Sequence, residues 1–389
     1  MKPLAHTPET MPGSGIREIV NLAVTMPDAI RLEVGEPNFP TPRHIVDGAA
    51  RAVADGFTKY TQSAGLLSLR TLIAEHVGRA NGYPVSPDQV NVTVGGVQGV
   101  QDIAIALVEA GDEVLVPDPG WPNYEMAVMV REGVPVRYPL LVEHGFVPRV
   151  EDLERRVTRR TKLLVLNSPG NPTGAVFPRP VVQALVEFAR RHDLYVLADE
   201  VYGQLVFEGE HVSPSVFDRE RVIVLNSFSK TYAMTGWRVG YVVANPAIAR
   251  VVAKIQEPMI SCVSGVVQKA AEVALTGPQD CVREMRESYR ERRDAVVAVL
   301  KAHGHHLYTP HGAFYIMVDV GASGIGSREF ALLLLREQGV AVAPGTAFGE
   351  AGSRFVRISL ATEKAQLIEG VERLCRFVQT VPGSAITIT

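Results

Sequence analysis

Cysteine and tryptophan are scarce in this chain, with three of the first and two of the second among 389 residues. Cys262, Cys281 and Cys375 are scattered without metal-ligand or redox spacing, which excludes a disulfide framework and a zinc site and leaves them as buried small residues. No segment runs for about eighteen residues without charge or polarity, as a membrane-spanning helix requires. The opening MKPLAHTPETMPGSG lacks the apolar core of a signal peptide. Neither sign of charge prevails: the formal net charge is -3, so there is no basic field for nucleic acid or an anionic membrane. The tract HGHH at 303–306 has no second ligand cluster and reads as a helix-to-strand turn. These absences predict a soluble, cytoplasmic protein that takes small metabolites, with no nucleic acid, membrane or metal partner.

What is present is alternation. Short β-branched runs at Val90–Val94, Val114–Val116, Lys162–Leu166, Leu194–Ala198, Val222–Leu225 and Val239–Ala244 read as buried strands. Between several of them apolar residues recur at helical spacing, as from Gly96 to Val108, Val181 to Arg191 and Ala247 to Gln256. Such alternation predicts an α/β fold with a parallel sheet covered on both faces, which binds ligands beyond the carboxyl ends of its strands. Earlier in the chain a helix is expected over Ile16–Val24 with Ser14 as its cap. Residues 278–302 are highly charged at helical spacing and read as a long solvated helix linking two domains. Strands at 312–320 and 354–361, with a helix over Arg328–Gln338, complete a second, smaller unit.

The most informative stretch is VIVLNSFSKTYAMTGWRVG at 222–240. There a buried strand runs into a loop carrying Lys230. A lysine so placed is either a solvated loop residue or an amine whose proton affinity is lowered by burial or a nearby cation, making it a nucleophile toward an aldehyde. Ser227, Ser229 and Arg238 supply hydroxyls and a cation suited to a phosphate beside that aldehyde. Phosphate and aldehyde together describe pyridoxal phosphate.

Other strand ends carry similar punctuation. Gly95-Gly96 separates a strand from a helix, so the Gly96, Val97 and Gln98 backbone is a site for a phosphate. Trp121 is hemmed by Pro119, Gly120 and Pro122 and is either a packing residue or a ring laid on a planar ligand. NSPGNPTG at 167–174 fixes an irregular backbone around Asn171. Asp199 ends an apolar strand, where a carboxylate is either exposed or paired with something positive. Arg357 lies on an apolar strand, either in a salt bridge or as a bidentate partner for a carboxylate.

These motifs resemble, in matching order over nearly the whole chain, those of the class I aminotransferases. The resemblance rests on Ser-x-Ser-Lys at Ser227–Lys230, Gly-x-Arg-x-Gly at Gly236–Gly240, Asn-Pro-Thr-Gly from Asn171, Gly-Glu-Pro from Gly35, and Arg-Ile-x-x-Ala from Arg357. It implies a fold-type I enzyme: a three-layer large domain with a mostly parallel seven-stranded sheet, plus a smaller α+β domain. The division expected is an arm at 1–32 that belongs partly to the small domain, the large domain at 33–285 and the small domain at 286–389. It further implies that Lys230 holds pyridoxal 5'-phosphate as a Schiff base and moves the substrate proton. Asp199 would pair with the ring nitrogen, Tyr202 and Asn171 would contact the phenolic oxygen, and Trp121 would lie on the ring. Arg357 would take the substrate carboxylate, with Gly35 beside it. Tyr60, ahead of Gly65, Leu69 and Arg70, would reach the phosphate of the neighbouring subunit, making a homodimer with shared sites.

The activity implied is amino-group exchange between an L-amino acid and a 2-oxo acid by a ping-pong mechanism. A C–S lyase, or another lyase or oxidase, would use the same fold. A non-catalytic module fused to a DNA-binding domain is disfavoured, because no basic helix-turn-helix stretch stands ahead of the fold. One dicarboxylate-specific subgroup has lysine directly after the double glycine, where this chain has Val97. With Ile16 and Phe314 as apolar wall candidates, neutral, apolar or aromatic donors are expected to exceed aspartate.

Overall fold

The computed structural model describes residues 2, 4 and 6–381. Seven strands form the central sheet in the order Val90–Thr93, Gly240–Val243, Val222–Ser227, Tyr195–Asp199, Thr161–Asn167, Glu113–Asp118 and Val134–Pro139. Only Gly240–Val243 runs antiparallel to its neighbours in this sheet.

Apart from the edge strand Val134–Pro139, the strands are apolar on both faces, and their residues alternate between two cores as the pleat requires. Val222 and Val224 enter one core, while Ile223 and Leu225 enter the other. The first core is closed by helices Arg43–Ala54, Leu67–Asn81, Arg179–Arg191 and Gly265–Thr276, the second by Gly95–Leu107, Asn123–Val130 and Pro246–Ile260. The expected three-layer, mostly parallel sheet is therefore present. The edge strand Val134–Pro139 escaped the sequence reading because two prolines and Arg137 interrupt its apolar run, which an edge position tolerates.

A third core gathers the rest. A three-stranded antiparallel sheet of Ala343–Pro344, Phe355–Ser359 and Tyr315–Asp319 packs with helices Ser327–Gln338 and Lys364–Thr380. Ile30–Arg31 pairs in parallel with Val340–Ala341, so the early chain joins this unit. Helix Gly15–Val24 buries Ile19 and Ala23 in the same core. Ser14 occupies its N-cap position, but its side chain makes no capping bond.

The charged helix Asp280–Ala302 is not wholly solvated. Val282, Met285, Tyr289, Val296 and Leu300 form a buried stripe, and Arg292 and Arg293 on that side find buried acceptors in Leu360 O and Pro310 O. The aliphatic stems of such arginines pack while the heads stay paired. Of the cysteines, Cys375 is buried as expected, whereas Cys262 and Cys281 are half-buried. No described helix is long and apolar enough to cross a membrane.

Candidate active site

Four parallel strands end at one place. Asp118, Asn167, Asp199 and Ser227 are the last residues of their strands, and a cavity of about 1020 Å³ lined by the last three opens beyond them, closed on the far side by Arg357, Tyr315 and residues of the segment 31–36.

Asp199 is 3% exposed. Its Oδ2 accepts a hydrogen bond from Tyr124 Oη at 2.5 Å and its Oδ1 one from the Val201 amide at 3.2 Å. Burial nevertheless raises its pKa to about 6, because two donors do not replace the water lost. The carboxylate is therefore short of a positive partner.

Lys230 lies on the single-turn helix Phe228–Thr231, whose N-cap is the Ser227 side chain. Its Nζ donates to Gly35 O at 2.5 Å. Burial lowers its pKa to about 8; Glu36 opposes that shift, and the cations Arg357 and Arg238 add to it. Such an amine is neutral often enough near physiological pH to attack an aldehyde.

Donors converge on one end of the cavity. Ser227 Oγ donates to Ser229 Oγ at 2.9 Å, and Arg238 Nη1 donates to Thr235 O at 2.7 Å. Arg238 has φ 57°, a left-handed conformation that costs a non-glycine residue about 1–2 kcal/mol and aims the side chain across the loop. Gly95 leaves it room: with φ +69°, a Cβ there would lie 2.6 Å from Arg238 Nη2. The helix starts at Gly95, one residue earlier than the sequence suggested, so Gly96 and Val97 present free amides. Gln98 then falls on the fourth residue, whose N–H closes the first helical turn, and its side-chain Oε1 accepts from the Val94 amide at 2.5 Å. Gln98 therefore supports the turn and does not line the cavity.

At the opposite end Arg357 is 2% exposed on strand Phe355–Ser359. Nη2 donates to Glu33 O at 2.5 Å and Nη1 to Asn171 Oδ1 at 3.1 Å, while the buried Nε has no partner among the described residues. The guanidinium lies 4.4 Å from the Tyr315 ring centre, which holds the plane without neutralising it. Tyr202 and Tyr315 share a hydrogen bond of 2.9 Å, and a Cβ at Gly35 would stand 2.6 Å from Tyr315 Oη.

Ile16, Trp121 and Tyr202 also line the cavity, as the sequence led us to expect. Two candidates do not. Phe314 is fully buried behind the wall, with its ring centre 5.8 Å from Lys230 Nζ. Phe314 lies in the turn just ahead of strand Tyr315–Asp319, its ring centre 4.7 Å from that of Tyr315, and it is Tyr315 that lines the cavity. Tyr60 is 91% exposed and contributes nothing to the cavity of its own chain.

Sequence reasoning missed Tyr124, Tyr315 and the pair Arg31 and Glu33, all of which line the cavity. Tyr124 sits three residues past the noticed Trp121, but nothing local separates it from a core tyrosine. Glu33 in an apolar run was the one signal available, since a lone acid there needs a cation.

Comparison with known proteins agrees with this geometry. The family described as aminotransferase class I and II matches residues 27–374. A probable aspartate/prephenate aminotransferase of Thermus aquaticus is 41% identical over 90% of this chain and 92% of its own. An aspartate aminotransferase of Pyrococcus horikoshii is 38% identical over 93% of each chain. The solved structure of a single mutant of Thermus thermophilus aspartate aminotransferase superposes with a TM-score of 0.93 at 39% identity, covering 97% of this chain and all of that one. With the strand-end cavity, the half-buried lysine and a match across nearly the full length, this enzyme belongs to the class I and II aminotransferases.

Proposed function

We propose that this aminotransferase uses pyridoxal 5'-phosphate, held by Lys230, to exchange an amino group between a neutral L-amino acid and a 2-oxo acid in a ping-pong cycle. The observation that carries the reading is Lys230, with its pKa lowered to about 8, between an under-compensated Asp199 and a buried Arg357.

The donor set fits that cofactor. Arg238, the Ser227 and Ser229 hydroxyls and the amides of Gly96 and Val97 suit a phosphate, and Gly95 keeps the cradle open. Asp199 suits a protonated ring nitrogen, Trp121 a ring face, and Tyr202 with Asn171 a phenolic oxygen. When bound, the cofactor supplies an electron-poor ring that stabilises negative charge at the substrate Cα.

The remaining work falls to side chains. Arg357 binds the substrate carboxylate through a guanidinium already oriented by Glu33 O, Asn171 and Tyr315, so little orientation is lost on binding. Lys230 removes the Cα proton and returns it on the other side of the exchange, as a base near neutral pH can. Asp199 keeps its charge on a positive partner, and Tyr124 holds that carboxylate in place.

Ile16, Val20, Val34, Val97 and Val201 make much of the wall apolar, which supports neutral donors. The names of the relatives speak of aspartate and prephenate, so acidic substrates are the competing expectation. We further propose a division into a large domain at 33–285 and a small domain at 286–389 joined by the arm at 1–32, and a homodimer in which the exposed Tyr60 serves the other subunit's phosphate.

Loading purified protein with pyridoxal phosphate, reducing with borohydride and mapping peptides tests the anchor. The pyridoxyl adduct is expected on Lys230. Steady-state rates with a donor and 2-oxo acid should give parallel double-reciprocal lines; an adduct elsewhere, or pyruvate and ammonia as the products, would refute the reading.

A further inference from the structure

Helix Gly95–Leu107 carries one ionisable side chain, Asp102, and it is fully buried. Its Oδ2 accepts from Gln256 Nε2 at 3.2 Å, while its Oδ1 has no partner among the described residues. Gln256 also donates to Val92 O at 2.9 Å, and Gln98, one turn before Asp102, accepts from the Val94 amide. A carbonyl oxygen only accepts and a peptide N–H only donates, so these bonds fix both side-chain amides. Gln256 is left with a spare acceptor, Oε1, and Gln98 with a spare donor, Nε2. Asp102 and Gln256 are fully enclosed by their own chain, so no second subunit reaches them.

No cation compensates this carboxyl group. Its own helix and strand Val90–Thr93 have no other charged residue, and Arg250, Lys254 and Glu257 of helix Pro246–Ile260 are exposed. Helix Asn123–Val130 carries Glu125, paired with Arg137, and Tyr124, whose hydroxyl is given to Asp199. Strands Val222–Ser227 and Gly240–Val243 present Leu225 and Val242 to this core. A Cβ at Gly99 would stand 2.4 Å from Leu225 Cδ1, so the helix lies hard against the sheet and cannot withdraw. Burial accordingly lifts the Asp102 pKa to about 7, against the pull of the Gln256 and Gln98 amides. A proton on Oδ1 turns that acceptor into the donor Gln256 Oε1 lacks and closes a two-bond acid–amide pair. A carboxylate leaves Gln256 Oε1 bare and calls on Gln98 Nε2 instead. Taking that donor draws Gln98 Oε1 off the Val94 amide, the bond that supports the start of the helix.

We propose that Asp102 is a positioning residue for the phosphate cradle: protonated, it lets Gln98 hold the Val94–Val97 turn with its amides toward the anion, and on losing the proton it loosens that turn. This rests on the reading above of Gly96 and Val97 as phosphate-binding amides. The coupling is reciprocal, so a bound anion also holds the proton on Asp102. The grip on the anion weakens as pH rises through neutrality.

The test titrates pyridoxamine 5'-phosphate, which has the phosphate but no aldehyde for Lys230, into the full chain at pH 6 and pH 8.5. Wild type is compared with Asp102→Asn and Gln98→Met. Asparagine supplies a fixed donor and no charge, so Asp102→Asn should match wild type at pH 6 and bind about fivefold more tightly at pH 8.5. Titration of Lys230 and of the ligand is common to both proteins and cancels in the ratio of their Kd values. Gln98→Met, which cuts the link, should bind more weakly at pH 6 and change with pH only as much as Asp102→Asn does. Infrared spectra add a readout without ligand: a neutral-carboxyl band in wild type at pH 6 that fades by pH 8.5 and is missing from Asp102→Asn. A ratio of Kd values that does not change with pH, a Gln98→Met protein that keeps the wild-type pH dependence, or the absence of that band would overturn the assignment. Failure of pyridoxamine phosphate to bind wild type at either pH would bring down the cradle reading and the role of Asp102 with it; tight binding with an unchanging ratio overturns Asp102 alone.

Discussion

Asp199→Asn in the cofactor-free protein is expected to raise stability at pH 8 and leave it nearly unchanged at pH 4. Burial lifts the Asp199 pKa from 3.8 to about 6. The folded state therefore holds a proton that the unfolded chain has released, and stability falls as pH rises from about 4 through 6. A shift of about two units corresponds to about 3 kcal/mol at and above neutral pH. The Tyr124 and Val201 hydrogen bonds are already contained in that shift, so they are not counted again. A carboxamide is close in shape to a neutral carboxyl, so the variant should track the wild type in acid and lack its decline. For a chain of this length about 3 kcal/mol corresponds to a rise of about 4 °C in Tm. Thermal unfolding of both proteins at a series of pH values measures it directly. A difference that does not change between pH 4 and pH 8, or an asparagine variant less stable than wild type at pH 8, would refute the view that Asp199 is an anion held without sufficient compensation. The same substitution should remove most of the exchange rate, because the ring nitrogen would lose its acidic partner.

Gly95→Ala places a Cβ against Arg238 and forces φ +69° on an alanine, so affinity for pyridoxal phosphate should fall about tenfold or more in a spectroscopic titration; an unchanged Kd would separate the phosphate from this cradle. Val97→Lys should raise kcat/KM for aspartate relative to a neutral donor, and aspartate as the best donor of the unmodified enzyme would contradict the apolar-wall reading. Mixing inactive Lys230→Ala chains with Tyr60→Ala chains should restore activity above either alone, since one site of the hybrid dimer would keep both residues. Subunit exchange without recovery would argue that Tyr60 acts elsewhere.

Much of the fold was legible because a buried strand and the helix covering it each carry their own periodicity. Val222–Leu225 alternates between two cores, and the residue types that end such strands, Asp199, Asn167 and Ser227, mark where a ligand can lie. Local pattern therefore determined the layers, the strand ends and the lysine loop. It did not determine which of two adjacent residues reaches the cavity: Phe314 and Tyr315 are both aromatic, and only the packing of the turn and the strand start against the small core put Tyr315 on the wall and Phe314 behind it. Nor could it show that Gln98 turns its side chain onto Val94, since that depends on a one-residue difference in where the helix begins. The pairing of Ile30–Arg31 with Val340–Ala341 joins strands two residues long, far too short to leave a period. That pairing helps bring Arg31, Glu33 and Gly35 toward Arg357 and Lys230. Periodicity reports that an element has an apolar face; what the face meets, and hence which charges are brought together, is decided by long-range packing.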